Sequence, residues 1–323
     1  MANLPTFKHI HCSSRYDRSP ESLETDLDVW MANSSIVTLT EITNDRRAAK
    51  LQEKGWGYYN SKLSGDADNC GICWRLDTWK RTYGAVRKLS AGTFDRVHGQ
   101  HNLYIWAATV VLKNVSSGHR LMVSCSHLPS HIMGAGGFRT TEAGWQGRKI
   151  ATLTALNNWS THLQDLERKQ KVDATLVIAD WNLNLKDSWV WNLLHDRFTD
   201  YRSAWNYMPT SGGALAGGAT VPKGSPGAGQ GDRIIDGTLY SGVQVTDGPV
   251  QMARVRSSDH RPYHESFQFL HKAGQPIKDH TPTKPAAGDV KTKGHAWWGF
   301  GDYLNDELYD ENVGTGSAGG EVL

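Results

Sequence analysis

Two stretches of the sequence carry acidic or amide side chains immediately after an apolar run. VIADWNLN (177–184) passes from apolar residues into Asp180 and Asn182, and SIVTLTE (35–41) ends on Glu41. Carboxylate and amide oxygens are the ligands that hard divalent cations prefer in proteins. A strand that ends on such groups is therefore a candidate for a metal site.

Three further stretches place histidines or acids in the same position relative to an apolar run. RLMVSCSHL presents His127, RIID presents Asp236, and VRSSDHRPY presents Asp259 beside His260. Each pattern is common without a function, since side chains such as those of Asp-x-Asn often only form turns. The presence of all of them at strand ends in one chain favours a shared site that binds metal or phosphate.

Apolar runs of strand length recur along the chain and alternate with helical patterns. Pro20 follows Ser19 and marks a helix start, and Leu23, Leu27 and Trp30 then keep helical spacing. Several strands follow one another directly, which favours a mixed α/β sandwich over a doubly wound parallel sheet. The predicted strands are 6–12, 35–41, 69–75, 103–112, 120–128, 174–181 and 234–241, and the predicted helices are 20–33, 142–170 and 188–196.

The ordered set of motifs resembles the endonuclease/exonuclease/phosphatase superfamily, which includes deoxyribonuclease I and exonuclease III. TLTEI, CSHL, ADWN, RIID and SSDHRP match the family's motifs in the family's order, over roughly residues 6–270. The resemblance implies a four-layered α/β/β/α sandwich of two mixed β-sheets flanked by helices. It also implies phosphodiester hydrolysis that depends on Mg²⁺ or Mn²⁺.

The resemblance assigns a metal-binding role to Glu41, with Asp259 near the same ion. The family's Asn on the first strand is absent, and Ser13 stands at its place as a weaker oxygen ligand. Asp180 would orient or deprotonate the attacking water, and Asn182 would donate a hydrogen bond to a phosphate oxygen or to the nucleophile. Because alternate residues of a strand share one face, Asp180 and Asn182 are expected to converge on one phosphorus.

The resemblance also assigns roles to two histidines. His127 and His260 would contact the phosphoryl oxygens, and one of them would protonate the leaving group. A histidine in such a role needs a carboxylate that fixes its tautomer. Asp236 is the predicted partner of His127, and Asp68 is a weaker candidate partner of His260.

Charge and composition divide the chain into a mildly basic body and an acidic tail. The net charge is +2 overall, +6 for residues 1–274 and −4 for residues 275–323. We expect a catalytic domain over 1–272, followed by a Pro/Gly/Lys linker and an aromatic, acidic tail over 273–323. The segment 295–312 of that tail is a candidate docking site for a protein partner.

We predict that the basic body of the chain binds a nucleic acid, and specifically DNA, because basic side chains attract phosphate backbones and aromatic rings stack on bases. Two alternatives remain open: a phosphatase or phosphodiesterase for a small phosphorylated ligand or lipid, and an adaptor that kept the fold and lost activity. A Gly- and Pro-rich loop over 210–232 is either a flexible connection or a substrate-contact loop. The side chains proposed for nucleic-acid contact are Arg46, Arg47, Arg139, Arg148, Arg254, Arg256, Arg261, Tyr58, Tyr59, Trp145 and Trp181.

The four cysteines are too few for a disulfide scaffold. Cys70 and Cys73 form a C-x-x-C pair, but residues three apart on a strand point to opposite faces, so buried free thiols are favoured over a zinc site. The sequence has neither a run of about 18 apolar residues nor a signal-peptide pattern, so the predicted location is cytoplasmic and no membrane span is expected.

Overall fold

Most of the apolar runs form β-strands in the computed structural model of the chain. The structure describes residues 4–14, 20–42, 48–61, 70–93, 102–130, 132–134, 137–138, 143–185, 187–203, 220, 233–252 and 258–275.

The first sheet combines one parallel pair of strands with antiparallel pairs. β1 runs parallel to β2, and the other neighbours are antiparallel. Its six strands lie in the spatial order β13 (Val243–Gln251), β14 (Tyr263–Phe269), β1 (Thr6–Ser13), β2 (Ile36–Thr40), β4 (Gly71–Arg75) and β3 (Trp56–Asn60).

The second sheet has the same mixed character. β10 runs parallel to β7, and the other neighbours are antiparallel. Its six strands lie in the order β11 (Arg202–Ser203), β12 (Asp236–Ser241), β10 (Ala174–Asp180), β7 (Arg120–His127), β6 (Asn102–Asn114) and β5 (Trp79–Thr93), and a separate short pair is formed by β8 (Met133–Gly134) and β9 (Gly137–Phe138).

Three apolar cores separate four layers. One core lies between the two sheets, a second lies between the first sheet and helices α1 (Pro20–Ala32) and α2 (Ala48–Glu53), and the third lies between the second sheet and helices α3 (Ala143–Gln170) and α4 (Ser188–His195). This is the predicted α/β/β/α sandwich, and the predicted fold class is therefore confirmed.

The amphipathic pattern of α1 positions this helix as the sequence predicts. Leu23, Leu27 and Trp30 are all at most 4% exposed and pack on the outer face of the first sheet. Their spacing places them on one stripe of the helix, so burying that stripe stabilises both the helix and the sheet beneath it.

The cysteines are free and buried, as expected from the strand geometry. Cys70 packs in the core between the sheets, whereas Cys73 packs on the opposite side against α1 and α2. Two thiols on opposite faces of one sheet cannot hold the same metal ion. In the described residues, no helix is both long and apolar enough to cross a membrane.

The Gly- and Pro-rich loop lies outside the described residues apart from Thr220, and the tail beyond Gln275 lies outside them entirely. The last described residues are anchored to the sandwich. The Gly274 N–H donates to Asp173 Oδ1 at 2.7 Å, and His119 Nε2 lies 2.8 Å from the carbonyl oxygen of His271.

These anchors lead to a prediction about the tail. A chain truncated after Gln275 keeps both hydrogen bonds and every strand among the described residues, so we expect its melting temperature in a thermal-unfolding experiment to equal that of the full chain. The matched control is truncation after Phe269, which removes both anchors and should lower the melting temperature. A fall of about 4 °C for the chain that ends at Gln275, equivalent to about 1 kcal/mol or more, would contradict the predicted domain boundary.

Candidate active site

The register of the second sheet places three predicted site residues side by side. Asp180 at the end of β10 pairs with His127 of β7 on one side and with Asp236 of β12 on the other. Side chains directly opposite each other on neighbouring strands point to the same face of a sheet. Residues far apart in sequence therefore meet at one end of the sandwich because the strands that carry them are hydrogen-bonded neighbours.

The carboxylate of Asp180 is the centre of this site, and its residue is 1% exposed. Asp180 Oδ1 accepts the backbone N–H of Asn182 at 3.0 Å, and Asp180 Oδ2 accepts a weak hydrogen bond from Ser13 Oγ at 3.4 Å. His127 Nε2 lies 3.5 Å from the same Oδ2. Ser13 belongs to the first sheet, so this carboxylate connects the two sheets.

Asn182 reaches the site by a turn and not by strand alternation, which corrects the expected geometry. β10 ends at Asp180, and Asn182 has a φ of 49°, in the left-handed region. Its side-chain Nδ2 donates to the carbonyl oxygen of Leu128 at 2.7 Å and lies 3.1 Å from His127 Nε2. Because Nδ2 is a donor, His127 Nε2 acts as the acceptor of this contact.

Glu41 approaches the same atoms from the first sheet. It follows β2 with a φ of 57°, and its Oε1 lies 3.8 Å from His127 Nε2. A non-glycine residue in this conformation costs of order 1 kcal/mol or more, and such residues cluster at functional sites. Glu41 and Asn182 both carry this cost, and both turn a side chain toward His127 and Asp180.

Glu41, His127 and Asp180 form a group whose ligand atoms all lie within 4.8 Å of one another. Their facing atoms are two carboxylate oxygens and an imidazole nitrogen that acts as an acceptor, so the group is rich in lone pairs and negative charge. This donor set fits a divalent cation. Asp259, which was expected beside Glu41, is in neither of the two potential ligand groups found among the described residues, although its charge helps to raise the pKa of His260.

Asp236 and His260 form a buried pair, and this corrects the predicted pairing of Asp236 with His127. His260 Nδ1 lies 2.8 Å from Asp236 Oδ2, and the two residues are 9% and 1% exposed. The register explains the difference, because Asp236 and His127 flank Asp180 on opposite sides. Asp68, the predicted partner of His260, lies outside the described residues, and Asp236 fills that role.

The electrostatics of the pair fix its charges. Burial alone would lower the pKa of His260, but the charge and hydrogen bond of Asp236, with further contributions from Asp180 and Asp259, raise it to about 10. Burial alone would raise the pKa of Asp236, but His260 and His11 bring it below its usual value. At neutral pH the pair is therefore an imidazolium and a carboxylate, and His260 Nε2 is the ring nitrogen left to meet a substrate.

The pKa of Asp180 is raised, in contrast to that of Asp236. Burial and the negative charges of Asp236 and Glu41 raise its pKa to about 7, against the lowering effect of His260 and His127. A carboxylate with this pKa can exchange protons near neutral pH, which is the property that a general base needs.

Two hydroxyl residues that the sequence did not single out hold the site together. Ser258 Oγ donates to the carbonyl oxygen of Ser13 and accepts the backbone N–H of His260 at 2.8 Å. Thr220 Oγ1 accepts the backbone N–H groups of Ile235 and Asp236 at 3.0 and 3.3 Å. Serine and threonine are too common in loops for a sequence signal to have identified them.

The predicted nucleic-acid contacts are only partly supported. Trp181 is fully buried and donates from its indole N–H to the carbonyl oxygen of Gly237, so it cannot stack on a base. Arg148 is described and donates to the carbonyl oxygen of Ser130. Tyr58 and Tyr59 are half-buried, with the Arg81 guanidinium 5.1 Å from the Tyr59 ring. Arg261 is described, whereas Arg46, Arg47, Arg139, Arg254, Arg256 and the side chain of Trp145 lie outside the described residues.

Comparison with known proteins identifies the fold. No protein-family model and no curated protein matches the sequence. Among solved structures, the chain is similar to the catalytic domain of human Nocturnin with bound sulfate (TM-score 0.60, 16% identity, 83% of this chain and 97% of that one). It is also similar to an endonuclease/exonuclease/phosphatase family protein from Bacteroides thetaiotaomicron (TM-score 0.57, 13% identity, 83% and 100%) and to D. rerio TDP2 complexed with single-strand DNA product (TM-score 0.53, 13% identity, 81% and 99%). The fold expected from the superfamily resemblance is confirmed.

The raised pKa of Asp180 predicts a pH-dependent gain in stability when its charge is removed. A carboxylate whose pKa rises from 3.8 to about 7 on folding contributes stability at low pH that is lost as the pH rises through about 7. We therefore expect Asp180→Asn to have a higher melting temperature than the wild type in EDTA at about pH 8.5, and this difference to shrink at about pH 5. Thermal unfolding in both buffers measures it, and a difference that does not depend on pH would contradict the assignment.

Proposed function

We propose that this protein is a divalent-metal-dependent phosphodiester hydrolase, and specifically a nuclease that cleaves DNA. The observation that carries the proposal is the meeting of the Glu41–His127–Asp180 group with the charged Asp236–His260 pair around one carboxylate. His260 Nδ1 lies 3.9 Å from Asp180 Oδ2, so the two halves of the site are in contact. A cation site beside an imidazolium is the arrangement that attack on a phosphodiester requires.

The chain's own groups divide the work of hydrolysis between them. Asp180 orients the attacking water and accepts its proton. The Asn182 side chain holds His127 and lies beside the place of attack. His260 presents its protonated Nε2 to a phosphoryl or leaving-group oxygen, while Asp236 fixes the ring through Nδ1.

Glu41 and Asp180 are the oxygen ligands that would hold the metal. The single lone pair of His127 Nε2 accepts from Asn182 Nδ2, so His127 would lie beside the ion without binding it. A divalent cation there would neutralise the facing carboxylates and polarise the phosphate. Carboxylate oxygens suit both Mg²⁺ and Mn²⁺. Ser13 would help to orient the metal-binding carboxylate of Asp180 through its hydrogen bond, which lessens the importance of the missing amide on the first strand.

An aromatic and basic ledge beside the site supports a nucleic-acid substrate. Ala107 pairs with Ser126, so Trp106 lies next to His127 on the same face of the second sheet, and Lys88 pairs with Trp106 on the edge strand. The Tyr104 and Trp106 ring centroids are 6.5 Å apart, and Lys88 Nζ lies 4.5 Å from the Tyr104 ring centroid. All three side chains are partly exposed. A ring that stacks on a base and a cation that meets a phosphate are the two elements of single-strand recognition.

The charged residues of the strands that carry this ledge are all basic. The described parts of β5 and β6 contain no Asp or Glu. Lys88 lies on the face of Trp106, whereas Arg87 lies on the opposite face, so Lys88 is the cation of this strand pair that is placed to attract a phosphate backbone at the site. The basic residues are Lys80, Arg81, Arg87, Lys88 and Lys113.

The first prediction from this proposal concerns cleavage itself. We expect the protein to nick supercoiled plasmid with Mg²⁺ or Mn²⁺ and to lose this activity in EDTA. Asp180→Ala or Glu41→Gln should lower the nicking rate at least about 100-fold, since each removes a group that acts in the transition state. Agarose-gel conversion of supercoiled to open-circular DNA measures it. Equal cleavage under all conditions would refute the mechanism, and turnover of phosphoinositides or small phosphomonoesters without nucleic-acid cleavage would favour the alternative substrate class.

The second prediction concerns Trp106. Stacking on one base contributes about 1–3 kcal/mol, so Trp106→Ala should raise KM for a single-stranded oligonucleotide by about 5- to 150-fold. Trp106→Phe, which keeps a stacking ring, is the matched control and should raise KM much less. Steady-state cleavage of a fluorescent oligonucleotide gives both values, and equal effects of the two substitutions would rule out stacking.

A further inference from the structure

A second group of aromatic and basic side chains lies near the candidate site, on the other face of the second sheet from the ledge described above. Phe138 of β9 and Trp189 of α4 have ring centroids 5.2 Å apart, and Lys149 of α3 places Nζ 5.5 Å from the Phe138 ring centroid. All three side chains are partly exposed. We call these three residues the outer patch.

The outer patch repeats the composition and the geometry of the ledge. In both groups two aromatic rings meet edge to face at an interplanar angle of 63°. In both groups a lysine ammonium also lies over one of the two rings. Each group therefore offers a base a ring to stack on and offers a phosphate a cation beside it, which are the two elements of single-strand recognition.

The two groups lie on opposite faces of one sheet, at the end that carries the candidate site. Trp106 of the ledge is on the face that is turned toward the first sheet, whereas the outer patch packs against the core beneath α3 and α4. β7 ends on His127 and leads to the hairpin of β8 and β9, and β10 ends on Asp180 and leads to α4. The strand ends of His127 and Asp180 therefore separate the ledge from the outer patch.

Direct contacts connect the outer patch to the turn that carries Asn182. Phe138 pairs with Met133 in the short hairpin, and Met133 Sδ lies 2.7 Å from the backbone nitrogen of Asn184. Asn184 Nδ2 also donates to Oδ1 of Asp187, the N-cap residue of α4, at 3.1 Å. One asparagine thus joins the turn to the hairpin and to the helix that carry the two rings, so the rings are held at a fixed place relative to the site.

Arg148 adds a second cation between the outer patch and the end of β7. It precedes Lys149 on α3, and its Nη1 donates to the carbonyl oxygen of Ser130 at 2.7 Å, in the segment that follows His127. Arg148 is partly exposed and Ser130 is exposed. Two adjacent cations near a strand end attract the phosphates of a nucleic-acid backbone that passes over it.

We propose that the outer patch binds the part of the substrate strand that lies beyond the scissile phosphate as seen from the ledge, so that the protein contacts a single strand on both sides of the bond that it cleaves. One base stacks on the ring pair of Phe138 and Trp189, and Lys149 and Arg148 meet the phosphates beside it. The inference rests on the proposed function for the class of its ligand, a single-stranded nucleic acid. These four residues bind the strand and take no part in the chemistry.

Strand binding without turnover tests the stacking ring. The wild-type full chain in EDTA is titrated into a fluorescein-labelled oligothymidylate of about 10 nucleotides, within the site sizes of about 4–16 nucleotides that single-strand binding folds occupy, and fluorescence anisotropy gives Kd. We expect Phe138→Ala to raise Kd by about 5- to 150-fold, the range for loss of one stacked base. Phe138→Tyr keeps a stacking ring and is the matched control, so it should change Kd much less.

A second variant tests the cation without disturbing the aromatic contacts of the core. Lys149→Gln should raise Kd and should make the slope of log Kd against log salt concentration shallower by about 0.7, the value for one phosphate contact with a single strand. Lys149→Arg keeps the charge and should keep the slope. A merely structural role of Lys149 would leave the slope unchanged.

The double variant Trp106→Ala/Phe138→Ala tests whether one strand occupies both groups. The two rings lie on different faces of the sheet, so their effects on binding free energy should add and the two increases in Kd should multiply. If the strand used only one of the two groups, one of the single substitutions would leave Kd unchanged.

The outcomes separate the outer patch from the proposed function. An unchanged Kd in Phe138→Ala, an equal rise in Phe138→Ala and Phe138→Tyr, or an unchanged salt slope in Lys149→Gln would overturn the outer patch, even in a protein that cleaves DNA. A wild type that shows the expected effects on binding but cleaves no phosphodiester with Mg²⁺ or Mn²⁺ would refute the proposed function and leave the outer patch established. A wild type that binds no single strand would overturn the outer patch as well.

Discussion

The constraint on which the site depends is the repulsion between buried carboxylates. Asp180 and Asp236 are adjacent in the sheet and almost fully buried, and Glu41 adds a third negative charge nearby. Two such groups cannot both ionise without cationic support. His260 supports Asp236, whose pKa falls, and Asp180 is left with a pKa of about 7. Because the two pKa values differ, Asp236 keeps a fixed negative charge and Asp180 is able to exchange a proton.

Strand register converts this electrostatic arrangement into a defined geometry. Neighbouring strands lie about 4.8 Å apart, so His127, Asp180 and Asp236 are held at that spacing by backbone hydrogen bonds and not by flexible loops. Two further side chains of the site come from residues that follow a strand. Glu41 and Asn182 leave their strands at positive φ, and this strained turn points each side chain back over the strand end. Rigid strands with two strained turns give a site that is organised before a substrate arrives.

The sequence predicts the strands that carry the site because each one reads as an apolar run that stops on a polar residue. It does not predict which residues face each other across strands, since register depends on pairing between segments far apart in the chain. For this reason the sequence predicted His127 as the partner of Asp236, whereas the structure pairs Asp236 with His260. β14 was missed for a related reason: YHESFQF alternates buried and half-buried residues, but its inward positions include Glu265, which does not read as a core residue.

The two histidines of β1 place polar side chains in the core between the two sheets. In TFKHIHCS the positions of His9 and His11 are fixed by alternation, yet a histidine in a strand gives no indication of whether it faces solvent or the core. Only the pairing of β1 with β2 and β14 brings Thr38 and Glu265 within hydrogen-bonding distance. Apolar residues at these positions would leave the buried Thr38 hydroxyl and the buried Glu265 carboxylate without the ring nitrogens that they contact. A buried polar group costs free energy unless its partner is in place, so these four side chains depend on one another for their burial.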